Sequence, residues 1–249
     1  MNKRFYFIYR FLTIASLSLG LIFNLINTPY PSRLMAYFTM QSNLLCLIVF
    51  IFFPLIKKNH KNFYYTSKGA ITIAILLTAI VYLIALMPNS FSMYSINNYR
   101  LSKALGNWLV HVISPILVTL DYILFDEKGH LKLYYPWIWL IIPILYVCFV
   151  YLFHSLGGHF YGIGGSSDFA YFFLDYKKIG IFAVIWWIIG ISIFVIILGY
   201  ALIGIDKILA RIKKGVVKKF RSKKEIWVKI LAQISFLLRN FFTATFFTL

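Results

Sequence analysis

Residues 37–55, YFTMQSNLLCLIVFIFFPL, decide the fold. From Leu44 to Leu55 there is no charge and no amide side chain. With Leu34 in front, the run reaches the roughly 20 mostly apolar residues that a helix needs to cross hydrocarbon. It is too long for a membrane strand and does not alternate as one would. Its first turns are of a different kind. Thr39, Gln41, Ser42 and Asn43 are polar, in a segment otherwise suited to lipid.

Five further runs meet the same requirement. The six predicted spans are Phe5–Ile26, Leu34–Leu55, Gly69–Met87, Leu105–Phe125, Tyr134–Phe153 and Ile179–Gly204. The whole chain is 61% hydrophobic and 13% charged, with a mean hydropathy of +0.81. A soluble domain carries roughly 25% charged residues. The charged N-terminus resembles a secretion signal, but no A-x-A-like site closes the apolar stretch, so it reads as the first span. The expected fold class is all-α: a polytopic bundle of six transmembrane helices.

The net charge is +18. Its distribution argues against nucleic acid, because the basic residues lie between and after the spans. Of the 25 Lys and Arg, 20 fall on one side of the membrane and 5 on the other. By the positive-inside rule both termini are cytoplasmic. A six-span domain, 1–205, is then followed by a basic cytoplasmic tail, 206–249. In the tail, DKILARIKKGVVKKFRSKKE (206–225) has the pattern of an amphipathic helix lying on anionic lipid head groups. The apolar end, 226–249, is expected to be interfacial rather than a seventh span. Lys229 and Arg239 would each cost about 2.5–3.5 kcal/mol near mid-membrane.

This topology brings polar residues to one level. Thr39 lies about five residues into the second span and His111 about six into the fourth, hence about 8 and 9 Å deep from the same side. Asn43 is four residues after Thr39, Asn107 four before His111 and Ser114 three after it, spacings that share a helix face. Pro115 removes a backbone donor and frees a carbonyl that something must satisfy. Two readings stay open. The polar groups can line a cavity, or they can join helices without chemistry. Asp121 lies ten residues beyond His111, about 15 Å further along, too far for contact. It is expected to pair with Lys57 or Lys58.

The fifth link, HSLGGHFYGIGGSSDFAYFFLDYKK (154–178), is the longest and reads as a lid or binding loop. Its glycines are not followed by Lys-Ser/Thr, so it is no phosphate loop. His154 and His159 lack a third ligand at helical spacing, and no metal or cofactor is expected. Cys46 and Cys148 read as small buried hydrophobes. No G-x-S-x-G, H-E-x-x-H or Cys-His pair occurs. The remaining nucleophile–base pairing is Thr39 with His111, since a Thr hydroxyl is weak unless a base takes its proton. Asn43 is the candidate donor to an oxyanion, with Gln41, Ser42, Asn107 and Ser114 as further substrate contacts.

YFTMQSNLL (37–45), NWLVHVISPILVTLDYILFDEKG (107–129) and YFFLD (171–175) resemble the signatures of a bacterial family of six-span integral membrane proteins. That family is more distantly similar to the eukaryotic androgen-induced and androgen-dependent membrane hydrolases, which cleave fatty acid esters of hydroxy fatty acids. The resemblance implies Thr39 as nucleophile and His111 as its base. Its pattern also includes Gln41, Ser42, Asn43, Pro115, Asp121 and Asp175, without roles. The expected function is intramembrane hydrolysis of a lipid ester in the plasma membrane, with membrane lipids as partners. The alternatives are a non-catalytic lipid or small-molecule binder or transporter, and a scaffold whose tail recruits partners.

Overall fold

The computed structural model describes residues 3–56, 60–86, 101–162 and 165–246. The chain is an all-α polytopic membrane protein. Helix α1 (Lys3–Ile26) leads through the one-turn α2 (Pro31–Leu34) to α3 (Phe38–Ile56). Helix α4 (Lys61–Val81) runs on into a π turn, Tyr82–Leu86. Helix α5 (Leu101–Trp108), a π turn (Leu109–Ile113) and α6 (Ser114–Phe125) form one span. The next span is broken: α7 (Tyr135–Trp139) and α8 (Ile141–Ser155) meet at Leu140. Pro143 has no N–H for the Trp139 carbonyl, which explains the break. The last helix, α10, is Ile181–Phe246.

Among the described residues, five helices are long and apolar enough to cross a membrane, and Phe38–Phe52 of α3 is a shorter apolar stretch. Two boundaries differ from expectation. Helix α4 starts at Lys61, well before Gly69, and takes Lys68 inside, where it is 1% exposed. Helix α10 does not stop at Gly204. It continues unbroken for 66 residues, a rise of about 99 Å, against a hydrocarbon core of about 30 Å. The side chains of Lys229 and Arg239 lie outside the described residues.

Lys68 is tolerated because it is paired. Its ammonium lies 2.5 Å from Asp121 Oδ2 and 3.8 Å from Asp126 Oδ2. Arg10 Nε stands 3.5 Å from Asp121 Oδ1, and the Tyr64 hydroxyl donates to Asp126 at 2.6 Å. The partners of Asp121 are thus Lys68 and Arg10. The expected partners, Lys57 and Lys58, lie outside the described residues. Helices α1, α4 and α6 meet on this cluster, which is buried and balanced in charge, as buried charges must be.

Small residues set the approach of α1 to the His111 turn. A Cβ on Gly20 would come within 2.9 Å of Val110, and one on Gly106 within 2.9 Å of Asn24. Beside this seam Leu17, Cys46, Phe50, Ile71, Ile75 and Val118 form an apolar core. Cys148, expected to be buried, is exposed on the face of α8.

The long link holds a short antiparallel hairpin, β1 (Phe160–Gly162) and β2 (Gly165–Ser167), then a 3-10 turn (Phe172–Leu174) and α9 (Tyr176–Ile179). Asp175 caps α9, accepting from the amides of Lys177 and Lys178 at 3.2 and 3.3 Å. His159 and Lys177 both bond Asp168, at 3.0 and 2.7 Å. The Lys177 ammonium holds the Asp168 carboxyl below its usual range. His154 packs on Phe169. The two histidines are engaged separately.

Candidate functional site

Thr39 enters from the second residue of α3, and His111 from the middle of the π turn between α5 and α6. Thr39 Oγ1 and His111 Nε2 are 3.2 Å apart. His111 Nδ1 lies 3.1 Å from the Asn107 carbonyl oxygen. A carbonyl only accepts, so Nδ1 carries the proton of the neutral ring. Nε2 then has a lone pair, and the Thr39 hydroxyl donates to it. This is the polarity that proton transfer from Thr39 requires. Tyr82 stacks on the imidazole with centroids 4.0 Å apart and fixes its plane. The Asn107 side chain donates to the Tyr82 hydroxyl at 2.8 Å. Asn107 therefore orients His111 directly through its carbonyl and indirectly through Tyr82.

The other expected contacts are structural. Asn43 is 0% exposed and gives its amide hydrogens to the carbonyls of Thr39, at 2.8 Å, and Val110, at 3.0 Å. It has none left for an oxyanion. Ser42 Oγ donates to the Thr39 carbonyl at 3.1 Å and lies 2.8 Å from Thr78 Oγ1 on α4. Gln41 is half-buried and makes no side-chain hydrogen bond among the described residues. Ser114 does not share the His111 face. Its hydroxyl meets Ser16 on α1 at 2.8 Å. The π turn explains this, since an extra residue in one turn rotates everything after it away from ordinary helical spacing.

Thr39 also lines an apolar cavity of about 70 Å³ between α3, α4, α8 and α10. Its walls include Leu77, Val81, Val147 and Ile188, with Tyr171, Phe173 and Leu174 lining it on the side of the long link. His111 is not in the lining. Thr39 is the residue shared by the cavity and the imidazole. Asp175 and Asp121 stand apart from it, engaged in the cap and the charge cluster already described.

Four participants were not anticipated: Tyr82, Thr78, Tyr146 and Tyr171. An aromatic in an apolar span is ordinary, and nothing in its local spacing marks it. Asp206 was missed as well. It is 0% exposed and accepts from the Tyr122 hydroxyl at 2.8 Å and the Gly129 amide at 2.8 Å. The signal available was an acid directly after an apolar run, in a segment otherwise rich in lysine.

No family model matches the chain, and comparison with curated proteins and with solved structures finds none similar to it.

Proposed function

We propose that the protein is an intramembrane hydrolase of fatty acyl esters, with Thr39 as nucleophile and His111 as general base. The observation that carries this reading is the 3.2 Å contact of Thr39 Oγ1 with His111 Nε2, its tautomer fixed by the Asn107 carbonyl. In the first step the Thr39 proton passes to Nε2 while Oγ1 bonds the ester carbonyl carbon. The C–O bond to the leaving alkoxide then breaks, and the imidazolium protonates that alkoxide. Water, deprotonated by the same ring, releases the acid from Thr39. The apolar cavity beside Thr39 would take the part of the acyl chain nearest the carbonyl, as expected of a site with few convergent polar groups. The resemblance of the three signatures to a bacterial six-span family supports it only through that family's more distant similarity to the eukaryotic hydrolases with a Thr and a His in equivalent spans.

The same proposal takes the chain to have six spans, α3 being the sixth, in the plasma membrane with both termini cytoplasmic. The basic part of α10 beyond Asp206 would lie against anionic lipid, each Lys contributing about 1 kcal/mol near the surface.

A second reading, a lipid binder without turnover, draws on the absence of His111 from the cavity lining. Labelling with an alkyl fluorophosphonate separates the two. A hydrolase forms an adduct on Thr39 that His111→Ala abolishes. If no adduct forms in a wild-type chain that binds the lipid, the binder reading replaces this one.

A further inference from the structure

We infer that the N-terminus of α3, together with Tyr146 and Tyr171, forms a site for an acyl carbonyl oxygen or a fatty acid carboxylate. The inference rests on the hydrolase reading and specifies what holds the developing charge, a role from which Asn43 is excluded.

A helix leaves its first N–H groups without intrahelical partners. In α3 the amides of Met40 and Gln41 reach the Tyr37 carbonyl, each at 3.1 Å. Those of Phe38 and Thr39 bond no backbone carbonyl among the described residues. The Tyr171 hydroxyl lies against both amides and against the Thr39 side chain. The second, independent observation is Tyr146. It is only 7% exposed and lines the cavity, and its hydroxyl faces the Tyr171 hydroxyl and the Phe38 backbone without making a hydrogen bond of good geometry. Its ring packs on Phe38 at 5.1 Å and on Tyr171 at 6.2 Å. A buried hydroxyl without a partner is costly, and a ligand oxygen at this point would satisfy it.

The chemistry favours an anionic oxygen. The Tyr171 hydroxyl oxygen takes up the two amides, so its own hydrogen and that of Tyr146 are the donors left for a ligand, and the helix end adds a partial positive charge. When Oγ1 bonds the carbonyl carbon, the electron pair of the C=O bond moves onto this oxygen beside Thr39. The chain attached to that carbon then runs along Leu77, Val81 and Ile188. Ligands of this site are therefore long-chain acyl compounds with a carbonyl or carboxylate at the Thr39 end.

The test compares palmitate with hexadecanol for binding to the full-length Thr39→Ala chain in detergent, which keeps the amide but cannot turn over. The acid should bind about tenfold or more tighter than the alcohol. Tyr146→Phe and Tyr171→Phe, added singly, should remove most of that preference while leaving hexadecanol affinity unchanged, which also controls for folding. In the otherwise wild-type chain each should lower kcat on a palmitoyl ester roughly 100-fold, as loss of one oxyanion donor does. Equal affinity for acid and alcohol overturns the inference, as does a preference that both Phe variants retain. A preference lost in the Phe variants, in a wild-type chain that cleaves no ester, upholds this site and overturns the hydrolase reading. Turnover through Thr39 with an unaltered preference does the reverse.

Discussion

The side-chain amide of Asn43 donates to the Val110 carbonyl across two helices at 3.0 Å. That carbonyl is orphaned by the local sequence. In the π turn the Ser114 amide bonds the Leu109 carbonyl. The next donor in this register would be residue 115, which is Pro115 and has none. Asn43 fills the vacancy and so closes α3 on the turn that carries His111.

Asn43→Ala should therefore act on stability before it acts on chemistry. It removes two hydrogen bonds and leaves a buried carbonyl unsatisfied, a cost of roughly 2–4 kcal/mol. Thermal unfolding in detergent should show a lowered Tm. Pro115→Ala in that background restores an N–H at the needed position and should recover part of the loss. A variant with an unchanged Tm and a lower kcat would instead make Asn43 an oxyanion donor.

The apolar helices, the meeting of Thr39 with His111 and the freed carbonyl near Pro115 were legible because each follows from chain length, rise per residue or a missing donor. Faces beyond the π turn were not legible. Ser114 was placed by regular spacing, and one extra residue in the preceding turn sent it to Ser16. Lys68 was misplaced for another reason. Hydropathy penalises a lysine at a span edge, and only the tertiary fold supplies Asp121 and Asp126 to neutralise it. Tyr146 and Tyr171 sit on elements far apart in sequence, so their convergence on Phe38 and Thr39 has no local signature.

The charge cluster makes a non-additive prediction. Asp121→Asn leaves Lys68 and Arg10 buried against one remaining acid, Asp126. Breaking a buried pair from one side costs about 3–5 kcal/mol, and unfolding in detergent should report a loss of that order. Lys68→Met alone should cost a similar amount. The double variant Lys68→Met/Asp121→Leu keeps Arg10 with Asp126 and should be nearer wild type than either single. Additive losses would mean that the pair does not act as a unit.

The position of Asp206 moves the domain boundary. Residues 1–205 do not contain all of the core, because Asp206 holds the Gly129 amide and the Tyr122 hydroxyl. A chain stopped after Val216 should keep the stability of the full-length protein and lose affinity for vesicles rich in anionic lipid. A chain stopped after Ile205, or the point variant Asp206→Ala, should lose about 2–4 kcal/mol through two orphaned donors. Equal Tm values for the Val216 and Ile205 truncations would return the boundary to 205.

Thr39 and His111 supply the sharpest test of the chemistry. Their contact joins the second residue of α3 to the centre of a π turn, and both partners are held from behind. Asn107 and Tyr82 fix the ring, while Ser42 and Asn43 anchor the Thr39 carbonyl. If the proton of Thr39 passes to Nε2, each residue is useless without the other. Thr39→Ala and His111→Ala should each reduce turnover of a lipid ester at least about 100-fold. The double variant should be little worse than either single, because cooperating groups are not additive. Thr39→Ser keeps the hydroxyl and should retain activity and fluorophosphonate labelling. Each alanine variant removes only the Thr39–His111 contact and leaves both Asn43 hydrogen bonds in place, so each should lower Tm less than Asn43→Ala does. Multiplying losses in the double variant would show that the two residues contribute independently, and the nucleophile–base assignment would fall.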